Sequence, residues 1–168
     1  IDLNKSYRNK KYASNGSLIL PTGEYWDEYR QFVSSFVLAL LKGKVDHKNQ
    51  ATVASALEFG ILHGIYNAVV HGNKFDSRKE IQVKWSVKGG RVVVEIIDNG
   101  KGPIGQGKKF AVLHRGNIIS GVGEALGHMR SMLDEVKLEP LVNNRGMKVG
   151  ARLILVKKFN SRTKKYAQ

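Results

Sequence analysis

The chain is 168 residues long, 42% hydrophobic and 25% charged, proportions that suit one globular domain with a sizeable core. It has no cysteine, which excludes disulfides and thiolate metal sites and fits a reducing, cytoplasmic setting; no signal-peptide pattern opens it, and its longest apolar run, Phe32 to Leu41, is broken by two serines and too short for a membrane span. Twenty-eight Lys and Arg against 14 Asp and Glu give a formal charge of +14, which draws nucleic acid, anionic lipid or an acidic partner, yet no zinc finger, helix-turn-helix or aromatic-basic ladder accompanies it.

In chain order, Ile1 to Gly16 is polar and basic and reads as a tail. Ser17 to Leu20 is a short strand stopped by Pro21-Thr22-Gly23. From Glu24 to Lys42 the apolar residues recur at helical spacing, with Gly43 placed to end the helix. Asp46 is placed to cap the next helix, which runs to His71-Gly72-Asn73. On that helix Val53, Leu57, Gly60, Ile61, Gly64 and Ala68 make an apolar face, while His63, Asn67 and His71 fall in an i, i+4, i+8 row.

The period then switches to two. Ile81, Val83, Trp85 and Val87 alternate with polar residues in Glu80 to Lys88; Gly89-Gly90 turns the chain, and Arg91 to Asp98 returns. There Val92, Val94, Ile96 and Asp98 share one face, and Val93, Glu95 and Ile97 the other. A glycine-rich stretch from Asn99 to Ser120 is far longer than an ordinary connector and reads as a lid. Gly121 to Leu133 is helical, and Glu135 to Leu141 with Lys148 to Lys158 forms a closing hairpin. No repeat or linker interrupts this. The expectation is a basic tail over 1–16, one domain over 17–158 and a second basic tail over 159–168, with an α+β two-layer sandwich whose helices lie on one face of a mixed, largely antiparallel sheet.

Two short segments carry chemistry. Asp98 ends a strand on its apolar face, where a carboxylate is costly to desolvate unless a donor meets it; Gly100 and Gly102 let the backbone turn and approach a ligand closely. Ser120-Gly121-Val122-Gly123 opens a helix, and free N–H groups at such a start suit a phosphate. A metal site built from His63, Asn67 and His71 is a poor zinc pattern, since only two good ligands converge.

Taken in order, NAVVHG on a helix, a hairpin ending in DNGKG, and a lid closed by SGVG and a helix resemble the Bergerat-fold ATPases, the superfamily of DNA gyrase and sensor histidine kinases. The wording of NAVVHG and of SGVGEALGHMRSMLDEVKL is closest to the bacterial anti-sigma-factor serine kinases, and the resemblance covers roughly Leu18 to Lys157. It implies ATP or ADP with Mg²⁺, held under a lid. Asn67 would hold the ion, with His71 beside it, and Asp98 would accept from the adenine amino group. Gly100 and Gly102 would shape the adenine pocket, and Ser120, Gly121 and Gly123 would meet the phosphates. It further implies a protein partner, such as a sigma factor or an antagonist protein phosphorylated on serine, and a homodimer.

Three positions depart from the family pattern. The general-base glutamate is replaced by His63, the arginine before SGxG by Ile119, and the Gly-Thr of the last strand by Gly150-Ala151. Loss of a general base typically costs roughly 10²–10⁴-fold in rate, whereas loss of one hydrogen bond in the pocket costs on the order of 1 kcal/mol. The residues that hold a nucleotide are mostly kept and those that transfer phosphate are altered. A catalytically inactive interaction module and the ATP-binding domain of a histidine-kinase-type protein are therefore the competing expectations.

Overall fold

In a computed structural model of the chain, residues 12–100, 112–114, 117–119 and 122–160 are described. The period-two segments pair as the alternation predicts. Strands β1 (Asn15–Pro21), β2 (Glu80–Lys88) and β3 (Arg91–Asp98) run antiparallel, with Gly89 and Gly90 at positive φ in the tight turn between β2 and β3. Two short strands, β4 (Val112–His114) and β5 (Asn117–Ile119), pair within the stretch read as a loop. The closing hairpin, β6 (Glu135–Val142) and β7 (Lys148–Lys158), adds to β3, giving the order β1-β2-β3-β7-β6. Every pairing in this five-stranded sheet is antiparallel, so it is not mixed.

Helix α1 (Trp26–Leu41) buries the whole set that its spacing predicts, from Trp26 through Tyr29, Phe32 and Phe36 to Leu41. Its end is marked by Gly43 at φ 73°, the left-handed position that favours glycine. Helix α2 (His47–Asn67) begins after Asp46, which occupies the capping position without a side-chain hydrogen bond to the helix. The apolar face of α2 lies on β3 and β7; at Gly64 a β-carbon would collide with Ile96 and Leu153, so the glycine sets how closely helix and sheet approach. Helix α3 (Val122–Met132) packs against α2 and β6, burying Ala125 and Met129.

Two expectations are corrected at the chain's flanks. Residues 12–16 are not tail: Tyr12 stacks edge-on against Phe36 and Trp85, Trp85 Nε1 donates to the Ala13 carbonyl, and β1 starts at Asn15. Phe159 likewise belongs to the fold, its N–H donating to Gly90 O at 2.8 Å. A third correction concerns length. Helix α2 with its continuation to Gly72 is long and apolar enough to cross a membrane by length and composition, although most of it is buried in this core.

Candidate functional site

Helix α2 does not end at Asn67 but widens into a π turn over Ala68–Gly72, closed by the Asn73 N–H donating to Ala68 O at 2.7 Å. A π turn carries more residues than an α turn. The row expected of His63, Asn67 and His71 is therefore straight only as far as Asn67, and His71 is rotated off it. Directly after the turn, Lys74 and Phe75 both hold positive φ, 54° and 59°. Non-glycine residues rarely adopt this conformation, and two in succession mark a segment that its surroundings over-determine.

Much of that determination comes from Asn73, a residue the sequence reading passed over. It is fully buried: its Nδ2 donates to Thr22 Oγ1 at 2.8 Å and to Glu80 O at 3.1 Å, and its Oδ1 accepts the Asn99 N–H at 3.0 Å. One side chain thus ties the end of β1, the start of β2 and the turn after β3 to the end of α2. Phe75 N–H bonds to Val69 O, and its ring meets Trp26 edge-on at 6.1 Å.

Against this bracket sits Asp98, opposite Ile81 on β2 and Ala151 on β7, and buried as its place in the alternation predicts. Its Oδ1 accepts the Gly100 N–H at 2.8 Å. Burial raises its pKa, while backbone hydrogen bonds from Gly100 and Ala151 and the distant charge of Lys79 pull the other way without prevailing. No side-chain cation among the described residues pairs with it. Gly72 lies flat against the carboxylate, where a β-carbon would collide with it, and Gly100 packs on the Gly72 carbonyl. The carboxylate therefore stands at the junction of β3, β7 and the π turn, met among the described residues by backbone donors alone. An ionised carboxylate has about four acceptor positions, so two N–H groups leave it capacity for a further donor.

The other expected residues divide. Asn67 is the last residue of the regular α turns, half-buried, directly before the π turn that brings Gly72 onto Asp98. His71 lies within that turn, and burial lowers its pKa. His63 lies a turn further back in an aromatic setting: its ring centroid is 4.3 Å from Phe59 and 5.9 Å from Tyr66. Its pKa is lowered, first by burial and then by His128 of α3, so the imidazole is neutral near pH 7. His128, which also approaches Phe59 at 6.1 Å, had no mark in the sequence. Gly123 falls in the first turn of α3. Gly102, Ser120 and Gly121 lie outside the described residues. Ala151, Leu153 and Leu155 of β7 are buried, whereas Val149 is exposed, beside a register shift at Leu141/Val142.

Among the described residues no three His, Asp or Glu side chains gather as a metal cage. Any divalent ion at Asn67 would need most of its ligands from elsewhere. Compared with protein-family models the chain matches none. No curated protein is similar enough to count as a relative.

Proposed function

We propose that this chain is a nucleotide-binding regulatory domain of the Bergerat type, similar to the anti-sigma-factor serine kinases and working in the cytoplasm, with an adenine nucleotide at Asp98. The observation that carries the reading is a buried carboxylate, free of any cationic partner among the described residues, at the end of a core strand beside a glycine-lined turn. A neutral amino group such as that of adenine is the kind of donor such an acceptor can take without a second buried charge. Asn67, one turn up α2, is the residue that would hold Mg²⁺ through its amide oxygen, and the ion would neutralise phosphate charge there. The nucleotide state would set affinity for a protein partner such as a sigma factor or its antagonist.

His63 is the candidate base for transfer to a serine hydroxyl. As a neutral imidazole it can accept a proton, but it brings no negative charge, and its face is occupied by Phe59. That packing favours slow transfer, or binding without transfer.

Calorimetric titration of the chain with ATP and ADP, with and without Mg²⁺, tests the reading. Binding is expected, and Asp98→Asn is expected to weaken it by about 10- to 100-fold, the worth of a hydrogen bond to a charged acceptor. Absence of binding to the unmodified chain, or equal affinity in the variant, would overturn it. In a labelled-ATP assay His63→Glu is expected to raise any hydrolysis or transfer rate; an unchanged rate removes His63 from the base position.

A further inference from the structure

Among the described residues the positive charge is gathered at one end of the molecule. The end of the sheet away from Asp98 gathers the β2–β3 turn, the α1–α2 connection and the end of β7: Lys88 stands opposite Arg91, Arg91 opposite Lys158, and the Asn160 carbonyl accepts the Asp46 N–H. Lys42, Lys48, Lys88 and Lys158 are exposed there and Lys44 partly so, and among the described residues none of the five has an ion-pair partner. The acids of this pole are Asp46, Asp134 and Glu135, and the last two are engaged by Lys157, Arg91 and Lys137. The described chain both begins and ends at this pole, where Val87 N–H donates to Ser14 O and Asp46 N–H to Asn160 O. The remainder of the described chain is nearly neutral, with nine Lys and Arg and ten Asp and Glu.

We propose that this pole is a binding surface for the sugar-phosphate backbone of nucleic acid, read without regard to sequence. Protein interfaces rest on buried apolar or aromatic anchors, and among the described residues the pole offers no such cluster. The exposed large apolar side chains of the described chain are Ile19, Leu38, Phe75, Val142, Met147 and Val149; the nearest, Leu38, stands alone one helical turn above Lys42. The cations are nearly all lysine, which meets phosphate as a point charge and does not offer the planar bidentate fork by which arginine reads guanine. A cluster of unpaired lysines without apolar anchors binds a polyanion by releasing its counterions, and that chemistry places phosphate, not base edges, on this surface. The surface is separate from the Asp98 site, at the opposite end of β3, so the two are tested independently.

The experiment is fluorescence anisotropy of the full chain with labelled 20-base-pair DNA duplexes of two unrelated sequences, at 50 and 200 mM NaCl. Equal affinity for both sequences is expected, falling by roughly several hundredfold across that salt range if about five phosphates are engaged. The variant Lys42→Gln/Lys48→Gln/Lys88→Gln/Lys158→Gln should bind at least about tenfold more weakly with a shallower salt slope, while Lys74→Gln/Lys79→Gln, at the other end, should match the unmodified chain. Lysine acetylation of the unmodified chain, read by mass spectrometry, supplies a check that needs no variant: DNA should protect Lys42, Lys48, Lys88 and Lys158 and leave Lys74 reactive. No binding at 50 mM salt, an unaltered pole variant, or equal acetylation with and without DNA would overturn the proposal. So would capture by phosphatidylserine vesicles without retention of DNA.

Discussion

Asn73 shows how much one side chain can govern. Its amide satisfies a hydroxyl, a carbonyl and an N–H from three separate segments, all sheltered from water. Asn73→Ala leaves these groups without partners, and a loss of roughly 3 kcal/mol in unfolding free energy is expected, measurable as a lower urea midpoint. Its neighbour behaves oppositely: Lys74, at φ 54°, holds a conformation that costs an L-residue roughly 1–2 kcal/mol, so Lys74→Gly should raise the unfolding free energy by about 1 kcal/mol, read as a higher urea midpoint. The titrating groups add a pH dependence whose sign follows from their environment. His63 and His71 are both depressed by burial, so the unfolded chain binds protons more readily than the native one below pH 6.5, and stability falls as pH drops through that point toward their native values. Denaturant melts at pH 7.5 and pH 5.5 should show this loss, reduced in His63→Gln/His71→Gln; an equal loss in the variant would assign it to other groups. Asp98 acts in the other direction and lower down, since a raised carboxyl pKa favours the native state as pH falls below its native value toward 3.8. Asp98 was legible from alternation alone, which places every second residue of β3 on the covered face. Asn73 was not, because its partners lie 7, 26 and 51 positions away and nothing local announces them.

At the level of elements, legibility followed periodicity. β2, β3 and α1 emerged with their faces correct because eight or more residues repeat one period. The π turn did not: one additional residue in a turn changes neither composition nor apolar spacing enough to register, yet it moves His71 off the row and brings Gly72 onto Asp98. β1 was started two residues late because Asn15 and Gly16 are exposed and carry no apolar mark. The approach of α2 to the sheet rests on Gly64. Gly64→Val would push a branched side chain into Ile96 and Leu153, with an expected cost of roughly 1–3 kcal/mol, seen as a lowered thermal midpoint. Because the same helix carries Asn67 and the π turn, that variant should also weaken nucleotide binding, although Gly64 lies behind the site.

For the molecule as a whole, the polarity of charge and the closure of the fold have different origins. The sheet's two faces are treated unequally, one covered by helices and the other crossed by the pairs Arg152–Glu139 and Arg91–Glu135. Its two margins are treated alike. The outermost strands are β1 and β6, and each contains a proline, Pro21 in one and Pro140 in the other. A proline has no N–H to offer a newcomer, so neither rim presents an unbroken ladder onto which another chain could zip. Pro140→Val restores that donor; after mild heating the variant should scatter more light than the unmodified protein. The molecule is thereby steered from open-ended stacking into fibres toward meetings through its surfaces, where recognition can be selective and reversible.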